Sequence, residues 1–319
     1  MLYYPKMRQI LPFININGKL INQKSARISI LNQGFIYGYG IFTTIKVRDR
    51  CPLFFDRHLN RLQTSAKQLN KPPTFDFRLS TFDLSKAVHA AITKNKLING
   101  GIRITITPAT VCIHAFCFNC HSERRSPETT EAEESHTTSL QFKNRSLHSF
   151  RSVGMTKQNN VCANQNLHHC NRVAVITTPD TRDSYKIHKL TYRIPHLLAQ
   201  QQAQAKGARD ALFTQNGKLI ESTTANIISY INKDTIITPP ILGKGLNGIT
   251  RQILIENLPI KEKAIPSDTT DPIILVNSLS LQIVESIDGR KLKQNSEFVN
   301  LIRQTLDKTE KTYITNNNF

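Results

Sequence analysis

The chain has no tryptophan and only three methionines among its 319 residues, and its aromatic content is 7%. Its basic residues are scattered rather than gathered into runs. That absence, with the missing tryptophan, argues against a nucleic-acid platform despite a net charge of +19. Long apolar runs are missing too: "IVESI", "PIILV" and "NIISYI" fall far short of the ~20 residues of a membrane-spanning helix. The opening "MLYYPKMRQILPFI" has neither the unbroken apolar core nor the small-residue cleavage site of a secretory signal. A soluble, cytoplasmic protein with no nucleic-acid or membrane partner is expected. Its positive field would favour small anionic substrates.

A disulfide framework is also lacking. Of the six cysteines, all but Cys51 (Cys112, Cys117, Cys120, Cys162 and Cys170) lie in one stretch, near His114, His121, His168 and His169. The spacing C-x4-C-x2-C, then a gap of about forty residues, then C-x7-C fits no standard zinc ligand pattern. Reduced bystander thiols and no metal are expected.

What is present falls into three textures. Up to residue 107, "FININGKLI" and "GIFTTIKVRD" alternate like strands. "FFDRHLNRLQTSAKQLN" puts Leu59, Leu62, Ala66 and Leu69 on one helical face, "LSKAVHAAITKNK" is a further helix, and "GGIRITITPA" is a glycine-led strand. Residues 108–171 lose this order. They read as an insertion, with "CHSERRSPE" and "SFRSVGMTKQ" resembling translated mobile repeat DNA. A poorly patterned native subdomain is the alternative, and "VCIHAFCF" can still be a native strand.

Order returns over 172–319. "RVAVITTP" is a buried-strand pattern, and "KLTYRIPHLLAQQQAQAKGA" is a helix closed by Gly207. "DALFTQNGKLIE" is a hairpin turning at Asn216-Gly217, "TANIISYINKDTIITP" gives two strands, and "PIILVNS" gives another. "GITRQILIENL" and "EFVNLIRQTLDK" are helices, and the closing "TYITNNNF" is expected to fray.

Several residues could carry chemistry. Lys189 precedes a helix and could act as a covalent amine if its pKa were lowered. Glu221 ends a hairpin strand. The backbone of Gly248, Ile249 and Thr250 opens a helix, where free N–H groups suit a phosphate. Arg61 could add a fixed positive charge. Taken singly, each is more often a solvated charge or a simple turn.

Their order resembles the fold-type IV enzymes dependent on pyridoxal phosphate (PLP): branched-chain and D-amino-acid aminotransferases and 4-amino-4-deoxychorismate lyases. The resemblance covers about residues 11–107 and 172–305, and it rests on "ILNQGFIYGYGIFTTIKV", "HLNRL", "HKLTYR", "ESTTAN" and "LNGITR". It implies an α/β fold with an N-terminal α/β sandwich and a C-terminal barrel-like α/β domain, PLP between them, and a homodimer. It makes Lys189 the Schiff-base lysine and proton carrier, and Glu221 the partner of the pyridine nitrogen. Arg61 with Ile249 and Thr250 becomes the phosphate cradle, with Asn277 and Ser278 nearby. Tyr37 falls on the substrate side, and Asn226 matches a family asparagine of unspecified role.

Thr43-Thr44 after the phenylalanine and Arg193 four residues beyond Lys189 look like the lyase. This implies a catalytic hydroxyl at Thr43 and a carboxylate-binding Arg193. The implied reaction turns 4-amino-4-deoxychorismate into 4-aminobenzoate and pyruvate, a step of folate biosynthesis. A branched-chain or D-amino-acid aminotransferase is the alternative, and a basic, non-enzymatic binding module the second. The sequence departs from the family at Asn32-Gln33-Gly34, at Gly38-Tyr39-Gly40 and at Pro108.

Overall fold

The computed structural model describes residues 9–69, 83–118, 170–232, 235–241 and 243–317. In the first half, alternation produces a six-stranded antiparallel sheet. Its strands run in the order Lys19–Asn22, Gln9–Ile16, Thr110–Cys117, Gly100–Thr107, Ile41–Arg48, Cys51–Pro52. One face carries Ile41, Ile45 and Val47 with Ile102, Ile104 and Ile106, and the helices Phe55–Leu69 and Leu84–Lys94 cover it. Leu62 and Ala66 are buried on the expected face of the first helix, with Leu59 and Leu69 packed partly against the core. Full burial of one such leucine stabilises by about 2 kcal/mol.

The ordered sheet extends beyond residue 107. "VCIHAFCF" holds the Thr110–Cys117 strand, paired on both sides, so the first sheet continues to Cys117, past the expected boundary at residue 107. Cys112 and Cys117 sit on this strand, and Pro108 in the tight turn before it. Of the expected insertion 108–171, residues 119–169 lie outside the described residues, and its last two open the strand Cys170–Pro179.

The second half builds a ten-stranded mixed sheet that forms a half-barrel. Its central strand Cys170–Pro179 runs parallel to both neighbours, Leu281–Ile287 and Asp210–Gln215. The Asp210–Gln215/Lys218–Ser222 hairpin turns at Asn216 and Gly217, both with positive φ (51° and 68°), as a tight two-residue turn requires.

The final helix, Ser296–Asn316, runs well past the expected end at Lys308. Tertiary contacts stop the tail from fraying. Tyr313 Oη accepts from Phe55 N at 3.0 Å, and its ring lies 4.8 Å from that of Phe54. Glu310 receives Lys46 Nζ at 2.8 Å and 2.9 Å inside the protein.

Candidate active site

The segment before the helix Ile194–Ala205 ties Lys189 to the first sheet by its backbone. Phe42 N donates to Lys189 O at 2.9 Å and Thr191 N donates to Gly40 O at 2.8 Å, while Thr191 Oγ1 reaches Gly38 O. Two glycines permit this approach. Gly38 has φ +65°, and a Cβ on Gly40 would fall 2.9 Å from Ile106 O. The lysine therefore sits at the seam between the two sheets, on the wall of a cavity of about 350 Å³.

Lys189 is half-buried, with Nζ 5.0 Å from the centre of the Phe42 ring. Burial pushes its pKa well below the usual 10.5, and the charges of Arg61 and Arg193 push the same way, opposed by Glu221. Its amine is thereby biased toward the neutral, nucleophilic form.

Glu221 lies across the same cavity, on the Lys218–Ser222 strand, and is 5% exposed. Its carboxylate accepts from Arg182 Nη1, from Leu246 N at 3.2 Å and 3.3 Å, and from Asn226 Nδ2 at 3.3 Å. Burial raises its pKa, and Arg182 works against that. Arg182 is itself gripped by Asp180 through Nε at 2.8 Å and Nη2 at 3.1 Å, and its guanidinium lies 4.0 Å from the centre of the Phe213 ring.

Another part of the cavity wall is the start of helix Ile249–Asn257, whose N-cap Gly248 offers no side-chain cap for the first backbone N–H groups. A Cβ at Gly248 would lie 2.0 Å from Asn226 Oδ1. Asn226 Nδ2 also donates to Leu246 O at 2.9 Å, so Asn226 joins the turn before the helix to Glu221. Arg61 lines the cavity from helix Phe55–Leu69. Its Nε is buried without a partner among the described residues, and burial lowers its pKa to about 10.

The cavity wall thus unites Lys189, Glu221, Arg61, Ile249, Thr250, Asn226, Asn277, Ser278 and Arg193. The polar atoms of Asn277 serve its own loop: Oδ1 accepts from Leu279 N at 2.9 Å and Ser280 N at 3.0 Å, and Nδ2 reaches Thr224 O at 3.3 Å.

Two expected residues lie elsewhere. Thr43 is fully buried and off the cavity wall, and Thr44 takes the wall position. Strand alternation is the reason: Thr43 shares the face of Ile41 and Ile45, toward the helices, while Thr44 shares the face of Phe42. Tyr37 is 72% exposed and does not line the cavity.

The cavity also has residues that the motifs did not single out. Arg103 stacks 3.7 Å over Phe42, and His196 has a buried Nδ1 without a partner among the described residues. Arg103 was reachable in principle. In "GGIRITIT" it alternates away from Ile102, Ile104 and Ile106, so it must face opposite the core. Arg182 gave no local signal, because only the fold brings it to Glu221.

A profile of the family described as amino-transferase class IV matches residues 40–287, and this chain belongs to that family. A D-alanine aminotransferase of Bacillus licheniformis is 24% identical over 286 residues, covering 86% of this chain and 88% of its own. An aminodeoxychorismate lyase of Bacillus subtilis is 23% identical over 247 residues, covering 76% and 73%. The fold is shared with a Legionella pneumophila protein described as a candidate 4-amino-4-deoxychorismate lyase, with TM-score 0.67, 22% identity, and coverage of 90% of this chain and 97% of that one.

The family's enzymes use PLP, and solved structures of this fold carry it. The residues present suit that group. An uncapped helix start and the orphaned Arg61 Nε await an anion, a buried carboxylate awaits a ring nitrogen, and a lysine of lowered pKa awaits an aldehyde. Among the described residues, no helix is long and apolar enough to cross a membrane.

Proposed function

We propose that this class IV enzyme is a lyase that converts 4-amino-4-deoxychorismate to 4-aminobenzoate and pyruvate. The observation that carries the reading is a pair of arginines on the cavity wall, Arg103 and Arg193. They are close enough that the charge of Arg103 contributes to the lowered pKa of Arg193, about 10, behind the larger effect of burial. The substrate carries two carboxylates, and two neighbouring guanidinium groups suit a doubly anionic ligand better than an alkyl side chain. Arg193 Nη2 donates to Thr223 O at 2.5 Å, which fixes its stem while its other donors stay available.

When bound, PLP would supply an electron sink for the bonds of the carbon that bears the substrate's amine. Lys189 Nζ, biased toward neutrality, takes the proton from the ring carbon that bears the amine. The enolpyruvyl group leaves with the C–O electron pair and becomes pyruvate on protonation, while the ring becomes aromatic. Glu221 holds the ring nitrogen. Arg61 and the backbone N–H groups of Ile249 and Thr250, with Ser278 and Asn277 beside them, bind the phosphate. Thr43 contributes by holding Arg61, and Thr44 offers the hydroxyl that faces the cavity.

A homodimer belongs to the same proposal. Ile30, Leu31, Phe35 and Tyr37 expose a contiguous stretch of apolar surface beside Tyr192, which lies against Gly38. Tyr37 would serve substrate only from such an interface.

The test is release of 4-aminobenzoate and pyruvate from 4-amino-4-deoxychorismate by PLP-loaded protein. Lys189→Ala is expected to abolish release. Amino exchange with D-alanine or branched-chain amino acids and no 4-aminobenzoate would favour the aminotransferase reading, which the D-alanine aminotransferase relative supports. A protein that neither binds PLP nor depends on Lys189 would be a basic binding module.

A further inference from the structure

Thr43 Oγ1 lies 2.6 Å from His58 Nδ1 and 2.7 Å from Arg61 Nη2. Thr43 is 0% and His58 1% exposed, so both sit away from bulk water. A guanidinium can only donate, so the Thr43 oxygen accepts from Arg61. A hydroxyl oxygen can accept a second bond, but among the described residues the Thr43 proton has no acceptor other than His58 Nδ1. The pairing that uses this proton has Nδ1 accepting, with the imidazole neutral and its hydrogen on Nε2. Burial first, and then the nearby charges of Arg61 and Lys189, push the His58 pKa well below 6.5, in keeping with a neutral ring.

The sequence delivers this arrangement economically. His58 and Arg61 stand three residues apart on one face of helix Phe55–Leu69, and Thr43 faces them from the adjoining strand. Arg61, which lines the cavity, is thereby held at Nη2, while its other guanidinium nitrogens have no partner among the described residues.

We propose that His58 is a positioning residue for cofactor phosphate. By accepting the Thr43 proton it commits the Thr43 oxygen to Arg61, and so fixes the guanidinium plane with its remaining donors left for the phosphate. Without that acceptor the threonine hydroxyl rotates to another partner, and Arg61 gains side-chain freedom that phosphate binding must then remove. The proposal rests on the reading that Arg61 binds the phosphate, and it moves Thr43 from proton relay to support of that arginine.

The test compares two ligands of the full-length apo-protein by absorbance titration: PLP, and pyridoxal, which has the same ring and aldehyde but no phosphate. The variants are Thr43→Val, Thr43→Ser, His58→Leu and Arg61→Met. Loss of an ordered charge-assisted contact predicts PLP affinity reduced about tenfold in Thr43→Val and His58→Leu, with pyridoxal affinity unchanged. Inorganic phosphate should compete less well with PLP in both variants, and Thr43→Ser should restore the parent behaviour. Equal weakening toward PLP and pyridoxal would show a merely structural role and overturn the proposal. So would unchanged PLP binding in Thr43→Val and His58→Leu while Arg61→Met loses its preference for PLP over pyridoxal. If Arg61→Met keeps that preference, the phosphate reading of Arg61 fails first, and the proposal fails with it.

Discussion

Arg182 donates to Glu221 in the interior of the second sheet, where the two side chains are 3% and 7% exposed. The glutamate expected to meet the cofactor ring nitrogen is therefore one end of a buried chain of charges that continues through Arg182 to Asp180 and Lys186. Alternating signs let four charge-bearing groups sit together with little exposure to water.

Breaking that chain at one point should be worse than removing a pair. Arg182→Met leaves Glu221 buried without its cation and is expected to destabilise the protein by about 3 kcal/mol. Arg182→Met with Glu221→Gln should recover most of the loss in stability but not PLP binding. Denaturant unfolding of both variants, with PLP titrations alongside, checks this. Equal loss in the single and double variants would mean that the pair is not coupled.

Lys189 makes the stability of the apo-protein depend on pH. Its folded pKa lies well below the usual 10.5. Between the two values the unfolded chain binds a proton that the folded protein lacks, so stability rises with pH across that window and falls as pH drops. Lys189→Met should be more stable than the parent at neutral pH, with the gap closing toward pH 10.5. Denaturant midpoints at several pH values give the comparison, and parallel curves for the two proteins would mean that the amine stays charged in the fold.

Gly248→Ala should damage the site through Asn226. The new methyl would meet Asn226 Oδ1 at 2.0 Å, and Asn226 bonds both Glu221 and the turn that leads into helix Ile249–Asn257. A loss of stability of about 1–3 kcal/mol from overpacking is expected, with weaker PLP binding. Thermal unfolding and PLP titration read the two effects. Unchanged values would mean that the turn relaxes freely.

The last helix should be indispensable despite its polar sequence. Glu310→Leu removes the carboxylate that Lys46 and Arg48 share, and Lys46's pKa is already lowered by burial, so about 3 kcal/mol of destabilisation is expected. Lys46→Met with Glu310→Leu should approach the stability of the parent. A double variant as unstable as the single one would place the effect in helix packing instead of charge.

Much of this protein follows from local rules. Alternation drew the strands around Phe42 and Ile102, and helical spacing drew the face of Leu62 and Ala66. Asn216-Gly217 drew the hairpin that carries Glu221, and Gly248 drew the uncapped helix start. Five motifs in order marked the family and its lysine. Such features depend on residues within a turn or two of each other, which the chain encodes directly.

Other features needed the tertiary structure. Strand alternation separates Thr43 from Thr44, but only the packing of helix Phe55–Leu69 decides which of them faces Arg61 and which faces the cavity. Arg182 meets Glu221 across 39 residues, and Lys46 meets Glu310 across 264. The tail stays helical because Tyr313 and Glu310 find partners near the start of the chain. Buried charges must be paired wherever the fold brings them together, and the partner is chosen by three-dimensional proximity, which sequence separation does not reveal.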